Sequence, residues 1–185
     1  RALQIQGGKL WLGGDNGIWR QDLPGLRAGT PANASAMLPG VRPVSLLQQG
    51  RQGEIWIGTR YQGLFRYDPA SNQLRHFAPD PANPHALSHG FVASVLEDAA
   101  GRLWVCTQGG GVNLCVNPAD PRGVRFAHIG LEQGLPNMLV NKLLQDRQGQ
   151  VWVSTDGGLA RLDPLRLRAE PLPRAQGGAL RVYWL

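Results

Sequence analysis

Lysine is nearly absent from this sequence of 185 residues, in which Lys9 and Lys142 stand against 17 arginines. The net charge of +6 therefore rests on arginine, and the arginines are scattered along the chain rather than clustered. Proteins that bind nucleic acids need a basic stripe, usually with aromatic side chains for stacking. Scattered arginines are instead typical of solvated strand positions, so no nucleic-acid partner is expected.

Long apolar runs are also missing. No stretch of 18 consecutive apolar residues occurs, which excludes a membrane-spanning helix within this sequence, and no membrane contact is expected. The 42% of hydrophobic residues still suffice for a folded core. The 25 glycines and 14 prolines favour many short strands joined by turns.

The only two cysteines, Cys106 and Cys115, lie on either side of one predicted hairpin. If Thr107 pairs with Gly111, they are offset by about three residues, beyond the usual disulfide Cα separation of about 4.4–6.8 Å. A shifted register or a bulge would bring them together on a diagonal, so a disulfide stays open. The alternative is that Cys106 serves as a small buried side chain.

Signatures of catalysis are scarce as well. The sequence has no nucleophile elbow, phosphate loop or paired-carboxylate pattern, and no catalytic residue is predicted. His85 and His89 have the i, i+4 spacing that places two imidazoles on one face of a helix. However, Pro84 and its turn-rich surroundings predict a loop, and no third ligand follows at a suitable spacing. We therefore expect no metal and no other cofactor.

What the sequence does contain is a repeat. Four segments share a turn, a tryptophan strand and a glycine that begins the next strand, and their tryptophans lie 45, 48 and 48 residues apart: Trp11, Trp56, Trp104 and Trp152. This spacing is typical of four-stranded propeller blades. The approximate repeats are 1–38, 39–78, 90–129 and 137–171, and residues 177–185 are predicted to begin a next blade.

The third copy defines the strands of a repeat. Residues 90–97 are a nearly continuous apolar run, which indicates a strand buried on both faces. In the following turn the Asp98 side chain is predicted to accept hydrogen bonds from backbone N–H groups, and Gly101 is predicted to adopt a positive φ. The second copy has Gly50 in place of the aspartate. Trp104 is predicted to be core, because a tryptophan that recurs at one period packs between blades. A short, arginine-bearing fourth strand suits an exposed edge.

The predicted fold is therefore an all-β propeller with four four-stranded antiparallel blades. A seven-bladed ring of this period needs about 340 residues, so these repeats are little more than half of one. Four separate blades would expose two large apolar faces. We expect either a longer native chain or association at those faces.

The motifs resemble the two-component regulator propeller repeat. The resemblance rests on Gly101-Arg-Leu-Trp-Val-Cys-Thr107, on the linker at residues 80–88, and on Gly134-Leu-Pro-Asn137 leading to Leu143-Leu-Gln-Asp146. It covers nearly the whole chain and is strongest between Gly53 and Pro164. The first copy departs from the pattern because it lacks the threonine, and the second because its turn lacks the aspartate.

The resemblance implies a function as well as a fold. Such repeats occur in the periplasmic sensor parts of bacterial hybrid histidine kinases and diguanylate cyclases. It therefore implies a periplasmic segment that binds a small molecule, such as an oligosaccharide, or packs on a dimer mate or a neighbouring propeller. It implies no catalysis in the propeller itself.

Propeller geometry indicates where a ligand would bind. The loops between second and third strands and the crossings between blades emerge on one face, and loops on a rigid scaffold commonly bind ligands. The candidate ligand-binding residues on that face are Arg60, Tyr61, Gln62, Gln108, Asp156, His85, His89 and Asn137. The first three combine a guanidinium, an aromatic ring and an amide, which suits a sugar or a carboxylate. For any single position, an ordinary polar turn residue is an equally good interpretation.

Two other functions stay open. One is an enzyme, because streptogramin-type lyases are propellers with similar repeats, and their chemistry would require a metal-assisted site centred on a histidine such as His85 or His89. The other is an interaction scaffold that grips a peptide or a second propeller. A sensor would bind a small molecule, whereas a scaffold would not.

Overall fold

The computed structural model describes residues 2–25, 35–38, 40–118 and 123–172. Within these residues the only helices are two three-residue 3-10 helices, Leu23–Gly25 and Leu131–Gln133, and neither is long or apolar enough to cross a membrane. The predicted beginning of a next blade at residues 177–185 lies outside the described residues. Contacts divide the chain into two compact units, the first comprising Arg1–Ala78 and Gly90–Val92, the second Pro79–His89 and Ala93–Leu185.

The first unit contains two four-stranded antiparallel sheets whose strands pair in chain order. The first blade consists of β1 (Ala2–Gln6), β2 (Lys9–Gly14), β3 (Gly17–Asp22) and β4 (Ser35–Met37). The second blade consists of β5 (Val44–Gln49), β6 (Ile55–Thr59), β7 (Leu64–Asp68) and β8 (Gln73–Phe77). The outermost strand of the second blade is exposed along nearly its whole length, as its arginine predicts.

The second unit repeats this arrangement. The third blade consists of β9 (Val92–Glu97), which begins at the boundary between the units, β10 (Leu103–Thr107), β11 (Gly111–Cys115) and β12 (Ala127–Ile129). The fourth consists of β13 (Val140–Gln145), β14 (Val151–Thr155), β15 (Gly158–Asp163) and β16 (Arg168–Pro171). The predicted all-β class and the four four-stranded antiparallel sheets are confirmed.

The core of each unit lies between its two sheets. In the first unit Trp11 packs with Ile55 and Ile57 of the second blade, and its ring centroid lies 5.6 Å from that of Tyr67. In the second unit Trp104 packs with residues of the fourth blade, including Val140 and Val153. Alternation along each strand produces this packing, because every second side chain points at the neighbouring sheet.

The repeated tryptophans are not equally buried. Trp11, Trp56 and Trp104 are 2%, 1% and 0% exposed, as predicted for core residues. Trp152 is only half-buried, and its partner in strand register, Leu144, is 64% exposed. The prediction that all four tryptophans are core is therefore wrong for the fourth, because no described sheet covers the face that carries Trp152.

The cysteines follow the offset pairing. Thr107 pairs with Gly111, Cys106 faces Val112 and Cys115 faces Leu103, so the two cysteines are not opposite each other. No disulfide joins them, and both are buried. Burial raises the pKa of the Cys106 thiol, which agrees with its interpretation as a small apolar side chain.

Candidate functional site

The loops between the second and third strands are built on a threonine at the end of the second strand. The side-chain hydroxyl groups of Thr59, Thr107 and Thr155 donate to backbone carbonyls across the loop, at 2.9, 3.1 and 2.9 Å. In the second blade the Thr59 hydroxyl also accepts the N–H of Gln62 at 2.9 Å. These bonds explain why the same loop shape recurs around different tip residues.

In the first unit, Gln62 is engaged in holding its own loop. Its Oε1 accepts the backbone N–H of Arg42 at 3.0 Å, and its Nε2 donates to the carbonyl of Gly40 at 2.9 Å. Its carbonyl oxygen also lies 2.6 Å from Nε2 of His76. Both ends of the predicted ligand-binding amide therefore bind residues 40–42, and a ligand at Gln62 would compete with these bonds.

Arg60 and Tyr61 occupy a fixed backbone with exposed side chains. The N–H of Arg60 donates to Pro43 at 3.0 Å, and that of Gly63 donates to Gly90 at 2.9 Å. A Cβ at Gly90 would collide with the carbonyl of Tyr61, so the two segments are in close contact. The Tyr61 side chain is 73% exposed and Arg60 is also exposed, and neither side chain has a hydrogen bond or ion pair within the described residues.

In the second unit, the structure brings Gln108 and Asp156 into one polar network. Gln108 Nε2 donates to the carbonyl of Val140 at 2.9 Å and to Asn141 Oδ1 at 2.8 Å. Asn141 Nδ2 in turn donates to Asp156 Oδ1 at 2.9 Å. The linking residue, Asn141, was missed because it lies inside a strand, where the repeat pattern marks no functional position.

Among the crossing residues of the second unit, Asn137 lies beside this network, because the Asp156 N–H donates to the carbonyl of Leu139 at 3.1 Å. Asn137 Oδ1 accepts the N–H of Leu139 at 2.8 Å, so it caps its own turn. Residues 85–89 form a loop, as predicted, with His85 half-buried and His89 exposed. The backbone of His85 accepts from Phe126 at 2.9 Å. Within the described ranges no three His, Cys, Asp or Glu side chains are placed to hold a metal ion.

The eight predicted residues thus divide between the units. Arg60, Tyr61 and Gln62 share one loop in the first, while Gln108, Asp156 and Asn137 lie near the start of the fourth blade in the second. Of all eight, Arg60 and Tyr61 are the pair that is both exposed and unengaged within the described part of the chain. They form the candidate site.

The second unit also has a groove that the sequence did not predict. Its volume is about 750 Å³, and it is lined by Glu132, Gln133, Gly134, Arg166, Arg168, Ala169, Glu170 and Pro171. It forms where the crossing between blades passes β16, so closely that a Cβ at Gly134 would collide with the carbonyl of Ala169. Glu170 is already paired with Arg161, and none of the predicted site residues lines the groove.

Two segments of the chain match the model of a known protein family. The two-component regulator propeller model matches residues 86–109 and 134–157. These two segments include the tryptophan strands of the third and fourth blades. A comparison with curated proteins found no match.

Solved structures show the same fold. The chain is similar to the extracellular domain of a protein described as a hybrid two-component system from B. thetaiotaomicron, at 23% identity and a TM-score of 0.73, covering 92% of this chain and 24% of that one. A second such domain from the same organism gives 20% identity, a TM-score of 0.51 and coverages of 94% and 28%. Virginiamycin B lyase from Staphylococcus aureus gives 14%, 0.61, 89% and 52%.

These similarities establish the fold class and leave the activity to be proposed. The chain spans about a quarter of the length of the two-component system domains, and all of the identities are low. The predicted partial propeller fold is confirmed by the four four-stranded sheets together with the similarity to these structures. The family match agrees with the motifs at Gly101–Thr107 and Gly134–Asn137. The chain therefore carries two-component regulator propeller repeats at residues 86–109 and 134–157, which confirms the predicted resemblance.

Proposed function

We propose that this chain is a non-catalytic sensor segment of a bacterial receptor, positioned outside the cytoplasm, in the periplasm. It binds a small molecule, such as an oligosaccharide, at the loop that carries Arg60 and Tyr61. A full receptor of this kind passes the binding event, through a dimer mate or a neighbouring propeller, to a histidine kinase or diguanylate cyclase output domain. The family match and the similarity to extracellular domains of two-component systems support this proposal.

The observation that carries the proposal is the contrast between backbone and side chains in this loop. The backbone is fixed by the bonds from Arg60 to Pro43 and from Gly63 to Gly90. The Arg60 and Tyr61 side chains are nevertheless exposed and unengaged within the described residues. A rigid loop that presents a guanidinium and an aromatic ring loses little entropy on binding, which favours recognition of a sugar ring and its polar groups.

The test is a binding screen with the full-length protein. Isothermal titration against a panel of oligosaccharides is expected to identify a ligand whose affinity falls at least tenfold, equal to about 1.4 kcal/mol, in Arg60→Ala and in Tyr61→Ala. Arg75→Ala is the matched control, because Arg75 is an exposed arginine on the outer strand β8. Binding that is unchanged in both loop variants would refute the proposal, as would a screen without any ligand.

The enzyme alternative has a separate test. The virginiamycin B lyase similarity concerns the fold, while His85 and His89 are the histidines that the sequence offers for such chemistry. The variant His85→Ala/His89→Ala is expected to keep full ligand binding. Loss of a ligand-converting activity in that variant would favour an enzyme over a sensor.

A further inference from the structure

One segment outside the predicted site is tied to the candidate loop at three points. Arg42 donates its backbone N–H to Gln62 Oε1 at 3.0 Å, and Gly40 accepts from Gln62 Nε2 at 2.9 Å. Pro43 accepts the N–H of Arg60 at 3.0 Å. Residues 40–43 and 60–63 therefore form one continuous surface at the end of the second blade, which we call the loop end.

Charge is distributed unevenly along the second blade. The loop end carries two exposed arginines, Arg42 and Arg60. The blade's acidic residues among those described are Glu54, which directly precedes β6, and Asp68, the last residue of β7, and both lie at the opposite end of the strands. Glu54 is engaged there by Arg66 at 3.2 Å, and Asp68 by its own turn. No carboxylate of this blade is therefore available to neutralise the arginines of the loop end.

The guanidinium groups of the two arginines have no partner within the described residues. Arg42 contributes to the loop through its backbone N–H, and within the described part of the chain neither guanidinium has an ion pair or hydrogen bond. Arginine presents a planar fork of donors that matches the oxygens of a carboxylate, sulfate or phosphate group. The adjoining Tyr61, 73% exposed, offers an aromatic face for the body of a ligand.

We infer that the loop end binds an anionic group, a carboxylate or sulfate carried by a sugar, with Arg42 and Arg60 contacting the anion and Tyr61 the ring. Arg42 thereby becomes a ligand-binding residue that the sequence pattern did not indicate. The inference rests on the proposed function and narrows it from small molecules in general to acidic ones. Because the arginines are exposed, the attraction is screened by salt.

The test compares matched probes on the full-length protein. Digalacturonate, a sulfated disaccharide and a neutral disaccharide are titrated calorimetrically, so that the first two distinguish a carboxylate from a sulfate ligand. At least one acidic probe is expected to bind at least tenfold more tightly than the neutral one. The affinity of that probe is expected to fall about tenfold, equal to about 1.4 kcal/mol, in Arg42→Ala and to fall further in Arg42→Glu. It is also expected to weaken as the salt concentration rises, because the arginines are exposed.

The substitution at position 42 is expected to leave the fold intact. Alanine at position 42 retains the backbone N–H that bonds Gln62, so the loop is expected to keep its shape, and unchanged thermal unfolding verifies this. Arg75→Ala, with its exposed arginine on β8, is the control for loss of charge alone. It is expected to leave the affinity for every probe unchanged.

Each failure has its own signature. Equal affinity for acidic and neutral probes, with a loss in Tyr61→Ala and none in Arg42→Ala, overturns the anion site and leaves the sensor proposal standing. Failure of both acidic probes to bind also overturns the anion site. If a ligand binds with the same affinity in the wild type, Arg60→Ala and Tyr61→Ala, the sensor site itself is wrong.

Discussion

The second and third blades make the same turn between their first two strands with different residues. In the third blade Asp98 accepts the N–H groups of Ala100 and Arg102 at 3.0 Å each. Its other oxygen accepts Arg102 Nε at 2.6 Å and Trp104 Nε1 at 2.8 Å. One buried carboxylate thus binds the turn, an arginine and the core tryptophan.

The second blade has Gly50 in the position of this aspartate, and a side chain from four residues later replaces it. A Cβ at Gly50 would lie 2.5 Å from the carboxylate carbon of Glu54, so Glu54 fills the space that the aspartate occupies in the third blade. Glu54 Oε2 accepts Gln52 N–H at 2.8 Å, and Oε1 lies 3.2 Å from Arg66. The backbone turn is the same, with φ of +88° at Gly53 and +79° at Gly101.

The arginine beside the tryptophan comes from a different sequence position in each of the two blades, but it lies at the same distance from the ring. The guanidinium of Arg66 lies 5.8 Å from the centroid of Trp56, and that of Arg102 lies 5.8 Å from the centroid of Trp104. Arg66 comes from the neighbouring strand, where it is the register partner of Trp56. Both blades therefore contain a set of a carboxylate, an arginine and a tryptophan at this turn. The carboxylate and the arginine come from different positions of the repeat in the two blades.

The largest expected effect is on the tryptophans of the two sets. Trp56→Ala and Trp104→Ala should each lower the free energy of unfolding by about 3–5 kcal/mol, since each leaves a cavity in a close-packed core. Trp152→Ala should cost clearly less, because that side chain is half-buried. Chemical denaturation of the three variants measures this. A loss in Trp56→Ala nearer to that of Trp152→Ala than to that of Trp104→Ala would break the equivalence of the two sets.

A swap of residues tests the shared carboxylate position directly. Gly50→Asp should destabilise the protein by about 2–3 kcal/mol, because its side chain would overlap the Glu54 carboxylate and oppose its charge. The double variant Gly50→Asp/Glu54→Ala moves the carboxylate to the position that it has in the third blade, with Arg66 already in the place of Arg102, and it should recover most of the loss. The melting temperatures of the single and double variants measure the recovery. Additive losses would show that Glu54 does not substitute for the aspartate.

The charge of Asp98 gives the next effect. Burial by itself raises the pKa of Asp98, but the bonds from Trp104 and Arg102 outweigh it, so the pKa lies below its ordinary value. A lowered pKa means that the carboxylate stabilises the fold above the unfolded pKa, about 3.9, and that this stability is lost as the pH falls through the folded pKa.

Asp98→Asn should therefore cost about 1–2 kcal/mol at neutral pH, and its difference from the wild type should shrink below about pH 4. Unfolding curves from pH 7 to pH 3 measure this change. Asp146→Asn is the matched control in the fourth blade, where the carboxylate binds Trp152 at 2.7 Å in a more exposed setting, and its cost should be smaller. A difference for Asp98→Asn that grows on acidification would contradict the assigned direction.

The sequence predicted the fold through features that repeat, and it failed where contacts join distant positions. The tryptophan period and the turn glycines are local signals, so the four sheets followed from them. The replacement of Asp98 by Glu54 in the second blade is invisible to a motif, because it depends on how a side chain folds back. At the candidate site, the engagement of Gln62 and the place of Arg42 depend on bonds between segments about 20 residues apart, which no periodicity reveals.

The smallest effect distinguishes support from function at the loop end. Gln62→Ala should lower stability by about 1 kcal/mol, because it leaves the Arg42 N–H and the Gly40 carbonyl without their partner. Arg60→Ala should change stability by less than about 0.5 kcal/mol, since its side chain is exposed and its backbone bond to Pro43 survives the substitution. Thermal unfolding of both variants measures the contrast. A loss in Arg60→Ala as large as that in Gln62→Ala would assign Arg60 to the support of the loop, and the candidate site would then consist of Arg42 and Tyr61.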